Sequence, residues 1–423
     1  MTEPKRTEPG FGTAILVPPP PRPASPIREV LALRSFRYYW ISQFLSMLVA
    51  GTLRFTFIWL VLDLSDWAAA AGVIALAAGL PALFLSLHAG VWSDRSDRRL
   101  LVIWGSIAAS VLLGLTGLAI WSGVVDLAVA IVFATLIGVA QAIYTPAVQA
   151  MVPMLVPRQR LMNAVALQSM GMQIAMFAGA LVGGAAIATL GIAGAFGVLA
   201  TLTLLSAVAM QQVRLPKLEA TPRSSVSREV GDGLRFALGR EPLRSLMLAM
   251  LLVSASFGVM QINLPEFAKE SLGRGAFASS ALFGAFAPGM LVSSLFLAAR
   301  ADSGRQGLML AVALGLGLGT GQLLLPLARS YPVALFIMFV WGIAGGVAMT
   351  SHRSLIQSLT PNEMMGRAMG ILTLGMAGAF PLSALLSALV SPRLGPDGTM
   401  MLTGALTLVI APLIVFRKPV RTA

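Results

Sequence analysis

Five ionisable side chains, Asp94, Arg95, Asp97, Arg98 and Arg99, fall within six consecutive positions of the stretch GVWSDRSDRRL. Carboxylates set among guanidiniums can move protons, hold an anion or tie one structural element to another by charge. Elsewhere such groups are sparse. Arg54 stands in FLSMLVAGTLRFTFIWLVLDLS, followed by Asp63, and Glu266 stands in NLPEFAKES. The two histidines, His88 and His352, have no H-x-x-x-H spacing and no carboxylate cluster beside them, and there is no cysteine. Metal centres, thiol nucleophiles and disulfides are therefore not expected. G-x-S-x-G, P-loop and His/Asp pairings are also missing, so the expectation is a non-enzyme without a cofactor.

What surrounds these residues decides what they can do. Only 11% of the 423 residues are charged and 57% are hydrophobic, with a mean hydropathy of +0.83, whereas soluble domains are roughly 25% charged. The partner of this surface is a lipid bilayer. Twelve apolar runs approach the roughly 20 residues that cross the hydrocarbon as a helix: Tyr38–Leu62, Trp67–Val91, Leu100–Trp121, Leu127–Ala147, Met162–Ile187, Ile192–Val213, Leu243–Leu264, Ala278–Ala299, Gly307–Leu327, Val333–Met349, Met369–Val390 and Thr399–Val415. They lack the alternation of barrel strands, so an all-α integral membrane fold is expected.

The net charge of +13 raises the question of a nucleic-acid partner. Sorting the 30 Lys and Arg residues with both termini cytoplasmic puts 25 inside, four outside (Lys269, Arg274, Arg329, Arg393) and Arg54 within a span. That asymmetry follows the positive-inside rule and reports orientation, not nucleic acid. The expected partition is a Pro-rich tail and pre-helix (1–36), a first six-helix half (37–213), a cytoplasmic linker (214–242), a second half (243–416) and a short tail (417–423). The first 26 residues, including VPPPPRPASP, read as extended and disordered.

The halves echo one another. VPRQRLMNA after span four is matched by TPNEMMGRA after span ten, Pro157 facing Pro361 and Ala164 facing Ala368 at an offset of 204. Nearly the same offset leads from Asp94 to Asp302 in RADSGRQG. Parallel six-helix repeats with a substrate path between them are a transporter architecture.

Gly90-x-x-x-Asp94-Arg95-x-x-Arg98-Arg99 resembles the loop signature of the major facilitator superfamily, G-x-x-x-D-R-x-G-R-R/K, except that Asp97 stands where the family favours glycine. With TPAVQAMVPMLVPRQRLMNAVALQSMG and NLPEFAKESLGRGAFASSALFGAFAPGM, nearly the whole chain resembles the drug and siderophore exporter branch that includes macrolide efflux pumps and the enterobactin exporter. The resemblance implies that Asp94 caps a helix of the other half, span eleven, and holds the cytoplasmic side shut, a contact of about 0.3–2 kcal/mol. In span five, Gly179-Ala180-Leu181-Val182-Gly183-Gly184 resembles the exporter signature ending G-P-x-x-G-G, without its proline. Those glycines also suit plain helix packing in lipid.

On span one, Gln43, Ser46 and Arg54 fall within about 80° of each other at 100° per residue. Span four carries Gln141, Tyr144 and Gln149, and span seven Ser254, Gly258 and Gln261; this set is the candidate substrate path. Asp63 and Glu266, at the outer ends of spans one and seven, are the candidate proton-coupling groups. The sum is a monomeric multi-pass protein of the cytoplasmic (inner) membrane, a proton-driven exporter of small amphipathic molecules by antiport. An importer, a lipid-flipping carrier of the same fold and a non-transporting sensor remain alternatives.

Overall fold

The computed structural model describes residues 26–65, 67, 69–157, 160–215, 239, 241–298, 306–359 and 365–415. Nearly all are helical, as lipid demands: without water, backbone N–H and C=O groups must be satisfied inside the segment. The spanning helices are α1 (Arg34–Leu64), α2 (Ala70–Arg95), α3 (Arg98–Trp121), α4 (Leu127–Leu155), α7 (Glu241–Glu270), α8 (Ala276–Ala298), α9 (306–327) and α10 (Tyr331–Leu359). α5 and α6 are the two arms of Leu161–Gln211, turned at Gly191, and α11 and α12 are the arms of Met365–Val415, turned at Gly395. Nine helical stretches among the described residues are each long and apolar enough to cross a membrane, and Ala70–Ala82 of α2 is a shorter apolar one. Opening the two hairpins and adding α2 gives the expected twelve.

Several helices outrun their apolar runs. α1 starts at Arg34 instead of Tyr38, α4 reaches Leu155 instead of Ala147, and α10 reaches Leu359 instead of Met349. Hydropathy marks the hydrocarbon, whereas the helix continues until a cap or breaker stops it. Asp97 and Asp126 are such caps: Asp97 accepts from the N–H of Arg99 and Leu100, and Asp126 from that of Val129, which satisfies donors that α3 and α4 would otherwise leave open.

The internal repeat survives as backbone geometry. Gly191 has φ 72°, ψ 177° and Gly395 has φ 67°, ψ 177°, and the two positions are 204 apart, the same offset found in the loops. Each opens a Leu-Gly-x-x-Gly turn, Leu190 to Gly194 and Leu394 to Gly398. One left-handed glycine replaces a loop in both places.

α9 departs from a uniform helix. It is wide-turned (π) over Ala313–Gly319, the sequence ALGLGLG, and closes in a 3-10 turn at Leu325–Leu327. Its glycines let it approach α10 and α12, with Gly317 against Ala344 and Gly319 against Leu408. Each half has its own core, one centred on Leu246, Phe267, Leu314 and Trp341, the other on Phe57, Ile74, Leu113 and Phe196. Trp104, Leu118 and Trp121 of α3 are exposed, as a lipid-facing side is.

Residues 1–25 lie outside the described ones, so the disordered tail expected there is not addressed. Pro26–Ala32, placed with the tail and pre-helix, is a helical turn docked on the protein. Val30 is fully buried and Glu29 pairs with Arg160 at 3.2 Å. Val30, with Leu33 after it, packs into a buried core of the first half and anchors the docking.

Because only glycine takes φ near +70° with ψ near 180° without strain, Gly191→Ala and Gly395→Ala should each lower unfolding stability in detergent by about 1–3 kcal/mol. Gly114, helical and facing open space, is the control: Gly114→Ala should leave the thermal transition unchanged or raise it.

Candidate functional site: a cavity between the halves

The opening cluster divides by role. Asp97 is the α3 cap, which explains an aspartate where glycine was expected. Arg99 donates to the Gln211 carbonyl at 2.6 Å, near the negative end of α6, and Arg98 reaches Met154 Sδ of α4 at 3.1 Å. These two arginines bind helix ends of the first half to one another. Gly90, Asp94 and Arg95 belong to the last turns of α2, but their side chains, like Asp302 and the contact expected between Asp94 and α11, lie outside the described residues.

Along α1, the positions Gln43, Met47, Ala50 and Arg54 recur at helical spacing and form one stripe. Facing it, α5 presents Gln168, Gly171, Met172, Met176 and Ala180. Between them, and closed by Gln261 of α7 and Phe283 of α8, is a cavity of about 220 Å³ in which Arg54 is, among the described residues, the one charged lining residue. Arg54 is solvent-exposed while its neighbours Leu53 and Phe55 keep 7% and 3% of their surface. Arg54 lines the cavity. A second, smaller recess of about 20 Å³, lined by Trp40, Gln43, Phe44, Met47, Gln168, Gly171 and Met172, adjoins the first through Met47 and Met172. It lies toward the start of α1, the face of the bundle where the described chain begins and ends, called the terminal face below.

The structure brings Gln43, Arg54 and Gln261 to this groove and takes other candidates elsewhere. Ser46, about 60° round the helix from Gln43, turns to α6, its Oγ 2.8 Å from Ser206 Oγ. Tyr144 packs on Gly105 of α3 within the terminal-face core of the first half. Gln141 is half-buried and Gln149 exposed, neither among the cavity lining; Ser254 is half-buried on α7 and does not line it either. Asp63 is exposed at the end of α1. Glu266 is buried on α7, with Lys269, Glu270 and Asp397 as its charged neighbours. His352 bonds the Leu246 carbonyl at 2.7 Å, a structural role. The lining residues that sequence reasoning missed include Met47, Phe55, Met172, Met176, Phe177 and Phe283. Apolar side chains on a span look alike whether they face lipid or a cavity; the one available signal was their helical spacing from Arg54 and Gln168.

Among the described residues, contacts between the halves gather from the membrane centre toward the distal face, opposite the terminal one. Phe177 meets Phe286 with ring centroids 5.3 Å apart, and Phe55 meets Phe283 edge-on at 6.3 Å. Ile58, Ala71, Ala75, Ile262 and Ala384 form one buried cluster drawn from α1, α2, α7 and α11. Lys269 Nζ donates to the Leu62 carbonyl at 2.5 Å. Two seams of small residues complete the closure. A Cβ on Gly72 of α2 would lie 2.7 Å from Ala384 O of α11, and one on Gly184 of α5 would lie 2.8 Å from Ala276 O of α8. Gly72 and Ala276 are 204 apart, as are Gly184 and Ala388, so the seams are repeats of each other. The span-five glycines thus split: Gly179 and Gly183 pack on α1 and Gly184 faces the other half.

A side chain at either seam should wedge the distal face apart. Ile262→Cys, fully buried in this arrangement, should react with a maleimide roughly tenfold faster in a Gly184→Leu or Gly72→Leu background, the ratio that about 1.4 kcal/mol of bias produces. Equal rates in purified protein would show that the seams do not hold the closure.

The family model described as transmembrane secretion effector matches residues 24–423. The macrolide efflux protein A of Streptococcus pyogenes is 25% identical over 396 residues, covering 89% of this chain and 94% of that protein. The multidrug efflux pump Tap of Mycobacterium tuberculosis is 26% identical over 382 residues, covering 86% and 88%. The enterobactin exporter EntS of Shigella boydii is 26% identical over 282 residues, covering 64% and 67%. Among solved structures, a bacterial homologue of the human lysosomal transporter Spinster superposes with a TM-score of 0.68 at 16% identity, covering 93% of this chain and 97% of that one. The nucleoside transporter NupG superposes at 0.67, covering 90% and 100%. The repeat-related helices, the central cavity and these matches together place the chain in the transmembrane secretion effector family of the major facilitator superfamily, as a multi-pass transporter and not an enzyme.

Proposed function

We propose that this transporter exports small amphipathic molecules from the cytoplasm, driven by the proton motive force, with the halves 37–213 and 243–416 rocking about the central groove. The observation that carries the reading is a cavity between the halves, sealed on the distal face, with a guanidinium in an aromatic and methionine-rich wall. Such a wall adapts to many shapes, because methionine is flexible and polarizable. The named efflux relatives support the outward direction. The terminal face is cytoplasmic in this reading, given that sorting the sequence with both termini inside leaves 25 of the 30 Lys and Arg residues on that side, and the membrane is the inner one. Glu266 and Asp63 are the acids proposed to exchange the coupling proton. Asp94, with Gly90, Arg95 and Asp302, closes the cytoplasmic side when the distal side opens.

An importer or lipid-flipping carrier is the second reading, favoured by Ala180 where exporters of this kind carry a proline. Direction separates the two. Cells expressing the protein should accumulate less of one or more members of an amphipathic dye panel than cells lacking it, and a protonophore should abolish the difference. Higher accumulation identifies import, and no flux in reconstituted vesicles identifies a sensor. Arg54→Gln should reduce the flux and Arg54→Lys reduce it less, because lysine keeps the charge but loses the planar fork. For topology, Ser225→Cys should react with an impermeant maleimide only after permeabilisation.

A further inference from the structure

The groove between α1 and α5 has two polar ends. Arg54 lies at one, with Gln261 beside it. At the other is Gln43, only 5% exposed, whose Nε2 has no hydrogen-bond partner. Both belong to the same stripe of α1: eleven residues bring the helix round to within about 20° and advance it about 16 Å. Between them the floor is Met47 and Ala50, faced by Met172 and Met176. Around Gln43 the recess has an aromatic wall, Trp40 stacked on Phe44 with centroids 5.4 Å apart. The Trp40 indole N–H is turned away to the Leu167 carbonyl at 3.2 Å, and Gln168 donates to Tyr39 Oη at 3.2 Å. The Gln43 amide is thus the donor left over at this end.

Resting on the reading of the chain as a transporter, we infer that its substrates are elongated amphipathic anions: the acidic head sits at Arg54, the apolar body lies along the methionines, and an uncharged acceptor oxygen about 16 Å away takes the Gln43 N–H while a flat group rests on Trp40 and Phe44. A buried amide donor without an acceptor is costly, so the loaded state gains what the empty state lacks. The guanidinium, exposed and lining the cavity, can take a carboxylate or sulfonate in bidentate geometry. Cationic amphiphiles of the same shape are disfavoured by the same charge.

The test uses three dansyl probes and the full-length protein in nanodiscs. N-dansyl-11-aminoundecanoic acid places a carboxylate and a sulfonyl oxygen about one groove length apart; N-dansyl-1,11-diaminoundecane replaces the carboxylate by an ammonium; dansylglycine is too short to span. The long acid should bind roughly tenfold tighter than either of the others. Arg54→Gln should erase the preference for acid over ammonium, and Arg54→Lys, a variant of unchanged charge, should keep part of it. Gln43→Leu should erase the advantage of the long acid over the short one and leave the charge preference intact. Equal binding of acid and ammonium overturns the inference, as does a long-to-short ratio that Gln43→Leu leaves unchanged, since water would then satisfy the amide. Reconstituted vesicles separate this from the proposed function. Charge and length preferences without flux uphold the substrate class and overturn export, whereas flux of amphiphiles without those preferences does the reverse.

Discussion

The structure turns on where a guanidinium can exist within the membrane. Arginine at the middle of a spanning helix carries an insertion cost of about 2.5–3.5 kcal/mol, which falls when water reaches the charge. Arg54 is about 15 Å from the end of α1 by helix rise, too deep to rely on the surface alone, and it is exposed and lines the cavity while the residues on either side of it are buried. A space between the halves that can admit water lowers that cost, and it is also the place where a ligand would sit. Having that space at the centre forces the halves to find their contact elsewhere, and among the described residues they find it toward the distal face.

How that contact is made follows from the repeat. Within the first half, Gly51 and Gly179 bring α1 and α5 together, and Thr52 Oγ1 donates to the Gly179 carbonyl at 2.7 Å. The positions 204 further on are Ala255 and Ser383, and there Ser383 Oγ donates to the Ala255 carbonyl at 2.8 Å. Small residues and hydroxyl-to-carbonyl bonds thus tie α1 to α5 and α7 to α11, while the seams between the halves hold glycine and alanine without such bonds in Gly72, Ala384, Gly184 and Ala276. Van der Waals contact between small residues can be remade at little cost, whereas a hydrogen bond broken in lipid leaves two unsatisfied groups. In the proposed rocking, the line of motion would run where polar bonds are few among the described residues, with Lys269 to Leu62 as an exception at the rim.

Much of this was legible in the residues. The count of spans, their grouping by six and the offset of 204 follow from apolar run length and two short loop motifs, because the hydrocarbon imposes length and the repeat imposes symmetry. The tight turns at Gly191 and Gly395 were not legible as such, since a link of one residue leaves no polar stretch. Nor was the π stretch in α9, where glycine spacing resembles ordinary packing. In the site, the polarity of a residue did not by itself fix where its side chain points. Arg54 and Gln261 reach the cavity and Gln43 the recess beside it, but Ser46, on nearly the same face as Gln43, finds a serine of α6. Sixty degrees of helix rotation separates a cavity from a neighbour, which a single periodicity does not resolve. The methionines and phenylalanines of the wall were invisible because lipid and ligand want the same side chains.

The buried amides show how the protein separates structure from recognition. Among the described residues the buried amide side chains are Gln43, Asn263 and Gln322. Asn263 donates to the Val259 carbonyl and to Ser387 Oγ and accepts from Ser391. Gln322 donates to the Ser256 carbonyl and to Thr403 Oγ1 and accepts from Ser256 Oγ. Both are satisfied at each end and bind α7 to α9, α11 and α12, so the second half is held by a closed polar network that gains rigidity and offers nothing to a ligand. Gln43 differs in one respect: its nitrogen is open, and it borders a recess that adjoins the Arg54 cavity. In a membrane protein, where unsatisfied groups are costly, a donor left open beside a cavity is the kind of group that the inferred ligand would satisfy.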